Sequence, residues 1–349
     1  MDSGRGGSGD GIRYPAETPP ATGEATRIAP GILWMRLPLP MALDHVNVYA
    51  LDEGDGWTIL DTGFDSRKSR AVWEALFTGP LAGRLVRRVV VTHYHPDHVG
   101  LAGWFQARGA ELLTTRTSWL LARMLTLDVQ ALPVPETLAY WQAAGMPAAM
   151  RAARAAERPF NFADCVAPLT GSFTRIAEGQ TIRMAGRDWL IRCGDGHAPE
   201  HATFWSHDDN LILGGDQLLP SISANIGVYA SEPDADPLAD WLESCAAFRP
   251  HAREDHFVLP GHKLPFTGLP LRIEQMIDNH LGALDRLRGH LDRPRTAVEC
   301  FVPIFKREIE GPEYGMALVE AVAHLNHLMH RGEVSRRAED GVWLWQRNR

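Results

Sequence analysis

The run Thr92-His93-Tyr94-His95-Pro96-Asp97-His98 places three imidazoles and a carboxylate within six residues. Residues two apart on an extended segment point to the same side, so His93 and His95 can face one ion. Asp97 and His98 come where the chain turns toward a helix and can face a second. Imidazole with carboxylate suits zinc, iron or manganese, whereas calcium and magnesium prefer oxygen alone. The plain alternative is a polar loop with exposed histidines, and so dense a cluster of ligating types disfavours it. Further candidates each follow a strand-like run: Asp61 in Asp61-Thr62-Gly63, His197 in Gly194-Asp195-Gly196-His197, Asp216 in Gly214-Gly215-Asp216 and His262 in Pro260-Gly261-His262. Their small neighbours let backbone and ions approach closely. Singly each reads as a turn; in this order around HxHxDH they read as one site.

The elements that must position these residues are legible in the apolar pattern. Residues 32–36, 45–51 and 57–60 read as strands, the last two joined by the acid- and glycine-rich turn Asp52-Glu53-Gly54-Asp55-Gly56. Residues 66–77 read as a helix and 87–92, with Val89-Val90-Val91, as a buried strand. A helix is expected over 98–108. Strands resume at 181–184, 189–193, 202–205, 210–213 and 256–259, with a helix over 237–248. Strands with intervening helices in two halves predict a layered α/β architecture. Between the halves, about 115–168 is helical, Ala-rich and interrupted by Pro133, Pro135 and Pro147, which suits an inserted helical cap. After Pro265 the pattern is helical again. It ends in two short runs flanking Asp340-Gly341, a hairpin signal.

The 349 residues therefore divide into an expected disordered tail over 1–27, rich in Gly and Pro, a main domain over 28–270 and a C-terminal unit over 271–349. A hydrophobic share of 45% is ordinary for a globular chain, and the formal charge of −8 argues against general nucleic-acid neutralisation. No apolar run is long enough for a transmembrane helix, and the N-terminus lacks the pattern of a signal peptide. The four cysteines show no CxxC pairing, which points to a reducing compartment, the cytoplasm.

The ordered set of motifs around HxHxDH resembles the metallo-beta-lactamase superfamily from about residue 28 to 269. The resemblance implies a four-layer αββα sandwich with the site at one edge of its two sheets. It implies that His93, His95 and His197 hold one divalent metal ion, that Asp97, His98 and His262 hold another, and that Asp216 bridges them. The ions would be zinc first, with iron or manganese as alternatives. Asp61 would orient ligands from behind them, and His201 would act as a neighbouring helper. Some branches fit less well. Diiron flavoproteins carry Glu where this chain has His95, and the true zinc beta-lactamases have a Cys near the position of Asp216. Glyoxalase II-type enzymes carry Gly where this chain has Glu200.

On that resemblance, two ions sharing a bridging hydroxide would cleave a small ester, thioester or lactone, with Asp97 orienting the nucleophile and moving its proton. Trp119, Met124, Tyr140, Trp141, Met146 and Met150 of the cap are expected to shape an apolar acyl pocket. Tyr94 and Asn225 are expected to touch substrate alongside Tyr140 and Trp141. The C-terminal unit, through Ala323-His324-Leu325, Gly332 and Asp340-Gly341, resembles the winged-helix-like appendage of one branch. That branch includes a mitochondrial endoribonuclease-like member, so a metal-dependent endoribonuclease or phosphodiesterase is a second reading. Arg331, Arg336, Arg337, Arg347 and Arg349 against Glu333, Glu339 and Asp340 leave a local charge of only +2, so the reading ranks nucleic acid below a small acyl substrate. A non-catalytic, metal-stabilised binding module is a third reading and an iron oxidoreductase a fourth. A homodimer through the cap or the C-terminal unit is left open.

Overall fold

The computed structural model describes residues 11–349; the expectation for 1–10 lies outside the described residues. The chain begins with strands β1 (Thr26–Ala29), β2 (Ile32–Pro38), β3 (His45–Asp52) and β4 (Gly56–Leu60), which pair antiparallel in order. Helix α1 (Arg67–Thr78) crosses to β5 (Leu85–Val90), parallel to β4. Ser66 caps α1 by accepting the backbone N–H of Ser69. Two short helices follow, α2 (Pro96–Val99) and α3 (Ala102–Gln106), then β6 (Glu111–Thr114), parallel to β5. The insert supplies α4 (Arg116–Leu127), α5 (Pro135–Ala143) and α6 (Ala148–Ala155) before β7 (Thr174–Arg175) completes a seven-stranded sheet.

The second sheet contains β8 (Thr181–Met184), β9 (Arg187–Gly194), β10 (His201–Ser206), β11 (Leu211–Gly215) and β12 (Phe257–Pro260), with α7 (Pro237–Phe248) between the last two. Its order is β12-β11-β10-β9-β8, and only the β11–β12 pair is parallel. The C-terminal unit contains α8 (Leu269–His290), α9 (Phe301–Phe305), α10 (Tyr314–His330) and the hairpin β13 (Val334–Glu339) and β14 (Val342–Arg347).

Alternation along the strands builds the layers. Trp34, Tyr49, Leu51 and Val90 of the first sheet meet Trp189, Ile191, Phe204 and Leu213 of the second in one buried cluster. The opposite parity of the first sheet, Met35, Val48, Ile59 and Val89, packs under Trp73, Leu76 and Phe105 of α1 and α3. The opposite parity of the second, Trp205, Ile212 and Val258, packs under α7, α8 and α10. The result is the expected α/β sandwich with helices on both outer faces. The C-terminal unit has no separate core: Leu318, Leu325 and Trp345 join the cluster that covers the second sheet. Among the described residues no helix is long and apolar enough to cross a membrane, and the four cysteines are free thiols.

Three expectations need correction. Residues 11–27 are ordered: Arg13 exchanges two backbone hydrogen bonds with Thr267, and Ile12 and Tyr14 pack on the C-terminal core. A Gly- and Pro-rich segment lacks local propensity, but its extended backbone can still pair with a partner. The helix expected over 98–108 is broken at Gly100 and Leu101. There the Gly100 carbonyl accepts Ala167 N–H, and Leu101 N–H donates to Gly63. The cap residues also disperse. Tyr140 is buried, donates its hydroxyl to the Val228 carbonyl at 2.6 Å and packs against Trp343. Trp141, Met146 and Met150 pack on the C-terminal core, Trp119 stacks on Phe173, and Met124 is exposed. Helical spacing gives a helix a buried face, but not the partner that face will meet.

The two sheets are clasped where the site forms. Asn47 on β3 is buried and uses its whole amide. It accepts from Trp34 Nε1 at 2.9 Å and Arg36 Nε at 3.1 Å, and donates to the carbonyls of Pro260 and Lys263, each at 2.9 Å. Tyr49 adds a hydroxyl bond to the same Pro260 carbonyl. Asn47→Ala strands the buried Trp34 indole N–H and releases the segment after β12. Urea unfolding should show a loss of about 2 kcal/mol, the ordinary cost of an orphaned buried donor with its lost bond.

Candidate metal centre

Strands β4 and β5 run parallel, and β9, β11 and β12 share one direction. Their C-terminal ends therefore collect at one rim of the sandwich. Asp61 follows β4, the His93–His98 segment follows β5, His197 follows β9, Asp216 follows β11 and His262 follows β12. His201 opens β10, which runs the other way and so begins at the same rim.

The side chains converge. His93 Nε2 lies 2.9 Å from His95 Nδ1, which lies 3.0 Å from His197 Nε2. Asp216 sits centrally, with Oδ2 3.2 Å from His262 Nε2 and 3.6 Å from His197 Nε2, and Oδ1 3.4 Å from His98 Nε2. Asp97 Oδ2 lies 3.3 Å from His262 Nε2 and 3.7 Å from His98 Nε2. Three sets are close enough for a shared ion: His93, His95 and His197; His93, His98 and Asp216; Asp97, His98 and His262.

Outer contacts aim the rings. His98 Nδ1 donates to Asp61 Oδ2 at 2.8 Å, and His197 Nδ1 donates to the Asn225 carbonyl at 2.8 Å. His262 Nδ1 donates to the His45 carbonyl at 2.8 Å. His93 Nδ1 lies 3.0 Å from Thr92 Oγ1, whose hydroxyl donates to Asp61 Oδ2 at 2.9 Å. Each of these rings thus has its Nδ1 occupied and its Nε2 turned toward the centre, the arrangement that outer-shell contacts impose on metal-binding histidines. His98 Nε2 and Asp216 Oδ1 are buried without a hydrogen-bond partner.

Electrostatics divide the cluster. Burial, reinforced by neighbouring imidazoles, holds His93 and His95 well below the usual histidine range. Burial opposes charge on His98 and His262 too. The carboxylates of Asp216 and Asp97 outweigh it, raising His98 well above the ordinary value and His262 to about 10. Burial would raise the Asp97 and Asp216 carboxyls, yet His98 and His262 hold both below the usual range. His201 is pushed down to about 3 by burial and by His197. It stacks on His93 with centroids 4.5 Å apart, and its Nε2 accepts the Asp216 backbone N–H.

Glycines make room at the floor. A Cβ on Gly215 (φ +50°) would stand 2.4 Å from His201 Cε1, and one on Gly261 would stand 2.2 Å from Asp216 Oδ1. The end of the cap is stitched to the motif. Cys165 O accepts Asp65 N–H, and the ring of Phe162 lies parallel to that of Tyr94, centroids 6.1 Å apart. Tyr94 is half-buried, its ring 4.5 Å from that of His95.

Two expected substrate contacts, Tyr140 and Trp141, are turned into the C-terminal core. Asn225 serves through its backbone: its carbonyl meets His197, while its amide donates to Glu320 Oε2 at 2.7 Å. Sequence reasoning missed Thr92, His45, Asn47 and Glu320. Only Thr92, which adjoins the motif, carried a usable signal.

Asp61 anchors the outer ring. It accepts Thr92 N–H at 2.9 Å, the Thr92 hydroxyl and His98 Nδ1–H, from a left-handed backbone (φ +58°) that Asn tolerates equally. Asp61→Asn turns one acceptor oxygen into a donor, so the three bonds cannot all survive. Chemical unfolding should show a loss of about 1–3 kcal/mol.

Residues 41–262 match the Metallo-beta-lactamase superfamily model, and residues 284–348 match the Metallo-beta-lactamase-like, C-terminal domain. The chain is 28% identical over 304 residues to a Bacillus subtilis (strain 168) protein named "Probable metallo-hydrolase YqjP", covering 85% of this chain and 92% of that one. Its fold is similar to the crystal structure of a beta-lactamase domain protein from Burkholderia ambifaria. The TM-score is 0.86 at 34% identity, with 97% of each chain covered. A metallo-beta-lactamase family protein from Thermus thermophilus aligns with a TM-score of 0.75 at 26% identity, over 92% of this chain and 100% of that one. The chain belongs to the metallo-beta-lactamase superfamily and is a metal-dependent hydrolase.

Proposed function

We propose that the protein hydrolyses a small ester, thioester or lactone at a dinuclear centre. One observation carries this reading: four histidines have Nδ1 tied outward and Nε2 turned toward a central carboxylate. His93, His95 and His197 would hold one ion, and Asp97, His98 and His262 the other, with Asp216 between them. The orphaned His98 Nε2 and Asp216 Oδ1 fit that assignment, since buried polar atoms rarely stay unpaired. The mixed nitrogen and oxygen set favours zinc, with iron or manganese as alternatives. Two such ions supply Lewis acidity and a water acidic enough to attack at neutral pH.

The chain's own groups supply the rest. Asp97 is the less enclosed of the two central carboxylates, with 18% of its side chain accessible against 9% for Asp216. It can orient the attacking water and carry its proton to the leaving group. Tyr94 borders His95, and burial raises its phenol above the usual range, so it stays protonated and able to donate to a substrate oxygen. Asp61 and Thr92 keep the His98 and His93 tautomers fixed. His201 fills the space behind His93 without needing to ligate.

The C-terminal unit supports a small substrate over a nucleic acid. Arg331 pairs with Glu333, Arg336 with Asp234, and Arg337 with Glu339. Trp345 is fully buried, and Trp343 packs against Tyr140. Neither a free cationic groove nor an aromatic ladder is presented by these residues.

Purified zinc-loaded protein should turn over members of an ester, thioester and lactone panel and lose activity on chelation. Asp97→Asn should lower kcat by about 100- to 10,000-fold, as expected for removing a proton carrier that also ligates. Fully metallated protein that is inert on the panel, or that cleaves RNA instead, overturns the reading.

A further inference from the structure

A second cluster of ligating side chains lies behind the site, between α8 and α10. Glu320 and His324 stand four residues apart on α10 and so share one helix face, and His280 faces them from α8. One ligand atom from each lies within 4.8 Å of the others. His280 Nδ1 and His324 Nε2 are 3.2 Å apart. Two nitrogens bound tetrahedrally to one ion at about 2.1 Å each would stand about 3.4 Å apart. His324 Nδ1 donates to the Glu320 carbonyl at 2.9 Å, so its Nε2 presents a lone pair, the same outward tie seen at His197 and His262.

The His280–His324 contact uses one nitrogen of each ring, and the other His280 nitrogen, Nε2, is buried without a partner. His280 and His324 are each 1% exposed. Burial pushes the Glu320 carboxyl up to about 7, and its hydrogen-bond partner is the neutral amide of Asn225, not a cation. Two imidazole nitrogens and a carboxylate that pairs with no cation converge as a donor set built from facing helices, as bundle metal sites are.

We propose that His280, Glu320 and His324 form an additional metal site that takes a single divalent transition-metal ion of the zinc type. The site has no ligand in common with the His93 cluster. Its connection to that cluster runs through Asn225, whose amide holds Glu320 and whose carbonyl holds His197. An ion there would lock α8 to α10 and fix the Asn225 segment.

The test is metal content and position, with zinc alone as the probe. Crystals of the full-length protein equilibrated with zinc, measured at the zinc absorption edge, should show an anomalous peak between His280, Glu320 and His324. His324→Gln and Glu320→Gln should each bind one zinc equivalent per chain fewer than the parent protein, with circular dichroism confirming the fold. Absence of that peak, or an unchanged equivalent in both variants, overturns the proposal. Both measurements read metal at these residues and not turnover. An inert enzyme, or missing peaks at the His93 cluster, would count against the hydrolase reading alone.

Discussion

His95 Nδ1 lies within 3.0 Å of nitrogens on His93 and His197, and carboxylates crowd His98 and His262, so the ring orientations need support from behind. The rim of the sandwich provides this for His93, His98, His197 and His262 with four different anchors: a threonine hydroxyl, an aspartate, and the carbonyls of Asn225 and His45. Those anchors come from the first sheet, the segments after β4 and β5, and the segment after β11, whereas His197 and His262 follow strands of the second sheet. The ring orientations therefore depend on the two sheets keeping their relative position. The Asn47 clasp and the bond from Ala202 N–H to the Thr92 carbonyl act on that requirement directly, because they join the sheets within a few residues of the ligating side chains.

Much of this arrangement was legible in the sequence because the candidate metal-binding residues follow strands. Strand ends are marked by apolar runs breaking into Gly, Asp and His, and HxHxDH adds a local spacing with few competing explanations. The α1 helix and the final hairpin were legible for similar reasons: an apolar face at Val72, Leu76 and Phe77 for the one and an Asp340-Gly341 turn for the other. The anchors were not. Asn225 and His45 act through backbone carbonyls, which every residue possesses, so no side-chain pattern marks them. Asn47 lies mid-strand, where an isolated polar residue reads as an outward face. The cap was legible as helices, yet Tyr140 and Met146 turned toward the C-terminal core. Periodicity does not say which of two nearby surfaces an apolar face will meet. The ordered stretch over 11–27 was hidden similarly, since its composition suits disorder and its partner Thr267 lies far along the chain.

The helices after β12 are structurally part of the site's foundation. They cover the outer face of the second sheet with the same buried cluster that contains Trp241 and Ile226, and Glu320 reaches from α10 to the loop that ties His197. α10 is thereby connected to the His197 ring at the rim through Asn225 and two hydrogen bonds. A change at the C-terminal unit can thus alter the cleft without touching it.

The glycines under the ligating residues have an implication for how such a protein can diversify. Gly215 and Gly261 leave no room even for a methyl group beside His201 and Asp216. The floor is consequently frozen: innovation there is blocked by volume before chemistry is considered. The shape of that floor is thus set by two absent side chains, one beside His201 and one beside Asp216.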